Sequence, residues 1–289
     1  DRVKKIELNE SDENLSSDDE IEESNDFIGK LINGKYIVIK YLSKGTFSKV
    51  WLVYNIILNE YFALKIQEDN EDDTLINEIK MLNIINNTSD KICKMIDTFE
   101  VKINNKNKKA ILFELLGDSL YNLVYEENDN IVTLNIVKKI TKSILQGLKT
   151  IHNKSLVHCD LKLDNILFTE VNSKIKSIKR EIDQLELHKN YMSILEITTQ
   201  QKLAGLTKSK RKAMKKKIKS RIIKEIIKEN KEKIKKINNN YFNIENLNNL
   251  NIDNLEDDNL SNDFKYKLDI DLNNIDVKIL DLGNTETEY

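Results

Sequence analysis

His158-Cys159-Asp160-Leu161-Lys162-Leu163-Asp164-Asn165-Ile166-Leu167 decides the reading of this chain. It follows a long amphipathic pattern, Leu134 to His152, and runs straight into an apolar strand candidate. One loop thus gathers acids, a lysine and an asparagine. Asp160 can accept a proton from a hydroxyl, and Lys162, two residues on, can neutralise a phosphoryl group in transit. The Asn165 side-chain carbonyl, with a further carboxylate, can hold Mg²⁺, which favours hard oxygen ligands. Asp281, at the end of a strand candidate Asp276 to Leu280, supplies that carboxylate. An ordinary polar loop has no need of this order and spacing.

Upstream, Tyr36 to Leu42, Val50 to Tyr54 and Tyr61 to Ile66 read as strands, with Gly45 and Asn59 in the connections. Thr74 to Ile85 reads as a helix with Leu75, Ile79, Leu82 and Ile85 on related turns. Further strands are predicted at Cys93 to Phe99 and Ala110 to Leu115, and helices at Ser119 to Tyr125 and Leu134 to His152, the latter with Val137, Ile140, Ile144, Leu148 and Ile151 apolar. Strands first and helices after is an α+β pattern in two lobes. The stretch Leu42-Ser43-Lys44-Gly45-Thr46-Phe47-Ser48-Lys49-Val50 carries small residues that let backbone N–H groups approach phosphates. With one glycine, the stretch on its own reads first as a plain hairpin turn. What lends it weight is that Lys65 follows on a strand and Glu78 on a helix: a strand lysine holds phosphates only when a carboxylate aims it.

These residues resemble the eukaryotic protein kinases. In that resemblance Gly45 is the second glycine of the nucleotide-covering loop, with Ser43 and Ser48 at the first and third places, Lys65 the strand lysine and Glu78 its partner. Asp160 is the catalytic base, Lys162 the lysine beside the phosphoryl group, and Asn165 and Asp281 the metal ligands. Cys159 replaces the usual Arg, Leu163 a common Pro and Leu282 the usual Phe. The resemblance places adenine between Val50 and Ala63 above and Leu167 below, under Leu42, with Phe113 at the back and backbone groups of Glu114 and Leu116 at the base edge. Asn33-Gly34-Lys35-Tyr36, Phe47-Ser48-Lys49-Val50-Trp51, Asn77-Glu78-Ile79-Lys80-Met81-Leu82, Phe113-Glu114-Leu115-Leu116-Gly117 and Asp281-Leu282-Gly283-Asn284 resemble, more narrowly, the kinases of serine/arginine-rich splicing factors. That family implies ATP and Mg²⁺ as cofactors, arginine/serine-rich protein substrates, and residence in cytoplasm and nucleus. The rival reading is a pseudokinase or truncated fragment serving as a nucleotide-binding scaffold.

The expected organisation is an acidic disordered tail (1–26), a small lobe (27–116), the start of a large lobe (117–168), a charged, partly helical spacer insertion (169–274) and the metal-binding strand with the start of an activation segment (275–289). Residues 7–26 hold ten Asp or Glu and no Lys or Arg. Lys176 to Leu187 and Lys208 to Ile237 have helical periodicity, the second within a dense Lys/Arg field. That field reads as a solvated helix, as a helix docking the chain itself or a regulatory partner through its isoleucines, or as a nuclear-import or nucleic-acid patch. Six residues follow Gly283, so the rest of a large lobe is missing and the core beneath Leu134 to His152 is expected to be exposed. The chain starts at Asp1, which does not read as a native start. No stretch approaches the ~20 apolar residues of a membrane helix. The net charge of −2 argues against a globally basic nucleic-acid binder, so no direct nucleic-acid contact is expected. Two cysteines, Cys93 and Cys159, do not make a disulfide framework.

Overall fold

The computed structural model describes residues 27–45, 48–68, 73–103, 106–125, 133–203, 207–249 and 275–287, with only the helical main chain over 242–249. The acidic run 7–26, the tip residues Thr46 and Phe47 and most of the Asn-rich stretch after Asn238 lie outside these. Six strands, β1 (Leu31–Ile32), β2 (Tyr36–Lys44), β3 (Ser48–Asn55), β4 (Glu60–Gln67), β5 (Met95–Ile103) and β6 (Lys106–Glu114), form one antiparallel sheet in the order β1-β2-β3-β4-β6-β5. Asn55 and Asn59 build the β3–β4 turn. The Asn55 Oδ1 accepts from Ile57 and Leu58 N–H at 3.0 and 3.2 Å, and Asn59 takes the left-handed conformation that asparagine tolerates.

Strand alternation sorts the side chains between two cores. On β4, Phe62, Leu64 and Ile66 join one cluster, while Ala63 and Lys65 face the other side; on β6, Ala110 and Leu112 oppose Ile111 and Phe113. The second side packs against α1 (Thr74–Ile85) through Leu75, Met81, Leu82 and Ile85. It also meets Ile279 of the short strand β9 (Val277–Ile279), which pairs with β8 (Ile166–Phe168). Cys93 does not open a strand as expected. Its N–H donates to Ile279 O at 2.9 Å across the lobes, and β5 starts at Met95 with a register shift before Asp97.

Below the sheet lie α2 (Leu120–Tyr125), α3 (Leu134–His152) and β7 (Leu156–Val157), the last paired with β10 (Glu286–Thr287). The inward face of α3 is Ile136, Ile140, Ser143, Gly147 and Ile151. Val137, assigned to it by periodicity, is exposed with Leu134 and Leu145. Gly147 has no room for a side chain, because a Cβ would stand 2.8 Å from Ile279 Cδ1 and 3.0 Å from Lys91 O. Asp276 ties three elements together. It accepts from Lys91 Nζ at 2.6 Å, Ser143 Oγ at 2.8 Å and the Val277 N–H at 2.9 Å.

The spacer holds α4 (Ser173–Asp183), α5 (Leu187–Lys202) and α6 (Lys208–Asn249). The helix read over 176–187 is broken between α4 and α5, where Glu186 adopts a left-handed φ of 49°. Of the readings open for Lys208 to Ile237, the helix that docks the chain itself through its isoleucines holds from Ile218 on, and the solvated one holds only before it. Ile218, Ile222, Ile223, Ile226, Ile227, Ile234 and Ile237 are buried in the first cluster with Ile175, Ile178 and Tyr191 of α4 and α5 and with the outer face of the sheet. Burying an isoleucine side chain contributes about 1.5–3 kcal/mol, so an isoleucine stripe beside an apolar sheet face closes onto it rather than onto water. Tyr61 on β4 reinforces the seam by donating to Asp183 Oδ1 at 2.7 Å, and His188 Nδ1 bonds Ile56 O at 2.8 Å.

Candidate active site

Lys65 points to the cleft because it shares the parity of Ala63, and it meets two acids there. Its Nζ lies 2.8 Å from Glu78 Oε2 and 3.1 Å from Asp281 Oδ1. Glu78 is fully buried on α1, whereas the Asp281 side chain is 37% exposed. Burial pulls the Lys65 ammonium down, but the two carboxylates outweigh it and hold it above its ordinary value, so it stays charged. Burial pushes the Glu78 carboxyl up, against the pull of Lys65.

The loop after β7 is held to β9 through one residue. Leu280 donates its N–H to Asn165 O at 2.9 Å, and its carbonyl accepts from His158 Nε2 at 2.9 Å. That direction follows from the other ring nitrogen, since His158 Nδ1 accepts from the Asp160 N–H at 3.3 Å. Asp281, the next residue, is thereby fixed beside Asn165. Two strained residues turn the chain on either side, Cys159 with φ 63° and Asp281 with φ 59°. Asp160 accepts from Lys162 Nζ at 3.0 Å and from Asn165 Nδ2 at 3.2 Å through Oδ2, and Asn165 Nδ2 also donates to Asp160 O at 2.9 Å. The hydrogen bond from Lys162 holds the Asp160 carboxyl below the usual aspartate value.

Asn165 therefore uses its amide nitrogen inside the loop and keeps Oδ1 as an acceptor, while Asp281 keeps the oxygen that Lys65 does not take. Two hard oxygens fit Mg²⁺, which fills its shell with water and phosphate oxygens. Among the described residues no cluster of three His, Cys, Asp or Glu ligands exists, so a dedicated all-protein metal cage is not built.

The residues expected around a nucleotide line up in register: Ser43 opposite Val50, Val50 opposite Lys65, and Ala63 opposite Phe113. Gly45 donates its N–H to Ser48 O at 2.8 Å, closing the hairpin tip; Ser43 and Gly45 are exposed and Ser48 is buried. Ala63 and Leu167 pack on the cleft cluster with Phe113 and Leu116, but Leu42 packs on the outer cluster. Glu114 gives its N–H to Lys94 O at 3.0 Å, and its carboxylate accepts from Lys278 Nζ at 2.6 and 2.7 Å. The end of β6 is thereby fixed where the lobes join.

Two further residues, His158 and Asn77, hold the site together through backbone carbonyls. His158 is the clamp just described. Asn77, one position before Glu78, donates from Nδ2 to Gly283 O at 2.7 Å and Thr285 O at 3.1 Å. It binds α1 to the segment after Asp281. Gly283 permits that approach, since a Cβ there would fall 2.4 Å from Thr74 Cγ2.

Residues 36–179 match the protein kinase domain family. The chain carries a eukaryotic protein kinase domain. Within that family it resembles the SRSF kinases. It is 33% identical over 183 residues to serine/threonine-protein kinase spk-1 of Caenorhabditis briggsae, covering 57% of this chain and 16% of that protein. It is 29% identical over 219 residues to SRSF protein kinase 3 of Mus musculus, covering 68% of this chain and 39% of the relative. The dual specificity protein kinase YAK1 of Saccharomyces cerevisiae is 32% identical over 150 residues, 50% of this chain and 18% of that one. A crystallised kinase domain, 29% identical, aligns with a TM-score of 0.45 over 49% of this chain and 42% of its own. The chain thus spans less than half the length of each of these proteins.

Proposed function

We propose that this domain transfers the γ-phosphate of ATP, bound with Mg²⁺, to serine hydroxyls of proteins, those rich in Arg-Ser dipeptides above all. The observation that carries the reading is the meeting of Lys65 with Glu78 and Asp281 at 2.8 and 3.1 Å while Leu280 locks Asp281 to the Asp160–Asn165 loop. Lys65, aimed by Glu78, holds the α- and β-phosphates. Asn165 Oδ1 and Asp281 hold the Mg²⁺, which when bound neutralises phosphate charge. Asp160 stays ionised, orients the serine hydroxyl and takes its proton; Lys162 offsets charge on the transferred group. The arginine/serine preference, and residence in both cytoplasm and nucleus, come from the likeness to SRSF kinases. Imaging the tagged chain checks the latter.

The test pairs turnover on an Arg-Ser peptide with Mg²⁺-ATP binding. Asp160→Asn should lower kcat by about 10²–10⁴-fold and leave ATP affinity within about twofold. Equal loss of both contradicts the role of Asp160, and binding without turnover in the parent chain favours the scaffold reading.

A further inference from the structure

The isoleucine stripe of α6 starts at Ile218, and the ten residues before it do not share its burial. From Lys208 to Lys217 every residue is exposed except the half-buried Met214. Seven of those ten are Lys or Arg and none is acidic; the first acid along α6 is Glu225. Like charges stand one turn apart at Lys208 and Lys212, at Arg211 and Lys215, and at Lys212 and Lys216. Each such pair destabilises an exposed helix by about 0.2–0.5 kcal/mol. Among the described residues, no ion pair offsets the cations from Lys208 to Lys217. This basic overhang has, among the described residues, no counter-charge of the kind a stable exposed helix of one sign needs.

We propose that the acidic segment 7–26 of the same chain docks along this overhang. Its ten carboxylates and absence of Lys or Arg match the charge of the helix. Its point of attachment is suitable as well. Phe27 is buried in the cluster that holds α6, with its ring 4.6 Å from Trp51, and a Cβ on Gly29 would stand 3.0 Å from Lys231 Cγ. The segment therefore joins the fold beside α6. Lys231 and Lys217 are about 21 Å apart along the helix, and eight extended residues span about 27 Å. The Asp18-Asp19-Glu20 run is thus within reach of the overhang. Tethering supplies a local concentration on the order of millimolar for short links. The contact is electrostatic, so salt weakens it. It does not depend on the kinase reading.

The test is zero-length carbodiimide crosslinking of the full chain at low salt and low protein concentration, with the linked peptides mapped by mass spectrometry. The expected result is intramolecular links from the 7–26 carboxylates concentrated on Lys208 to Lys219 and reduced about fivefold or more in 0.5 M NaCl. Links spread over all exposed lysines, or found only between chains, overturn the proposal. A second measurement uses a chain with Asp18→Asn, Asp19→Asn, Glu20→Gln, Glu22→Gln and Glu23→Gln. Trypsin should cut the overhang several-fold faster in that chain. An unchanged cleavage rate overturns the proposal, as does equal affinity of the two chains for a poly(U) probe, which would mark the overhang as a nucleic-acid surface open in the parent chain.

Discussion

The two faces of the six-stranded sheet use the same strands for opposite purposes. On the cleft face, Lys65 tolerates its burial only because Glu78 and Asp281 stand 2.8 and 3.1 Å away, so the identity of each residue matters. On the outer face, Phe62, Leu64 and Ile66 meet the isoleucines of α6, where shape and apolarity suffice. Chemistry constrains residue type at a few positions, and packing constrains only volume and pattern at many. Damage to the two faces should therefore differ in kind.

The largest effect belongs to the cleft. Lys65→Met leaves Glu78 buried without its cation, and turnover should fall by at least about 10²-fold, measured as peptide phosphorylation under saturating ATP. Next comes the outer face. Ile222→Ala should cost about 2–5 kcal/mol in denaturant unfolding, with ATP affinity unchanged in the folded fraction. An equal loss of ATP affinity there would join the two faces that the structure keeps apart. Asn77→Leu should be milder. Removing two hydrogen bonds at about 0.5–1.5 kcal/mol each predicts a loss of about 1–3 kcal/mol in denaturant unfolding, with a several-fold fall in kcat as the segment after Asp281 loosens.

The smallest effect is read from pH. The Glu78 carboxyl lies above its ordinary value because of burial, and Asp160 lies below its own because of the Lys162 hydrogen bond. On acidification Glu78 takes its proton first and Asp160 last. KM for ATP should climb before kcat falls, and the reverse order in a pH profile would contradict the assignment of the two acids. For Asp276 the sign follows from its lowered value, where hydrogen bonds from Lys91 and Ser143 outweigh burial. Its contribution to stability is present above the ~3.9 of an unfolded aspartate and is lost as the pH falls through the folded value.

Much of the cleft was legible because its residues are chemically specific. α1 and α3 have the bounds that periodicity gave, Thr74–Ile85 and Leu134–His152, and the loop from His158 to Leu167 could be read for its chemistry. The roles of Asn77 and His158 were not legible, because each acts through backbone carbonyls that only the fold brings near. The start of β5 was misread because Cys93 looks like strand but bonds Ile279 across the lobes. The seat of α6 was left open for a different reason. An isoleucine stripe states that something must cover it and does not say what.

The spacer leaves and returns through adjoining doors. Phe168 pairs with Val277, and Thr169 donates its N–H to Asp276 O at 3.0 Å. Whatever lies between these points is a detour from a closed hairpin, and doubling the length of such a detour adds only about 0.6 kcal/mol of closure entropy. Asn165 and Asp281 on either side are thereby insulated from how long the excursion grows.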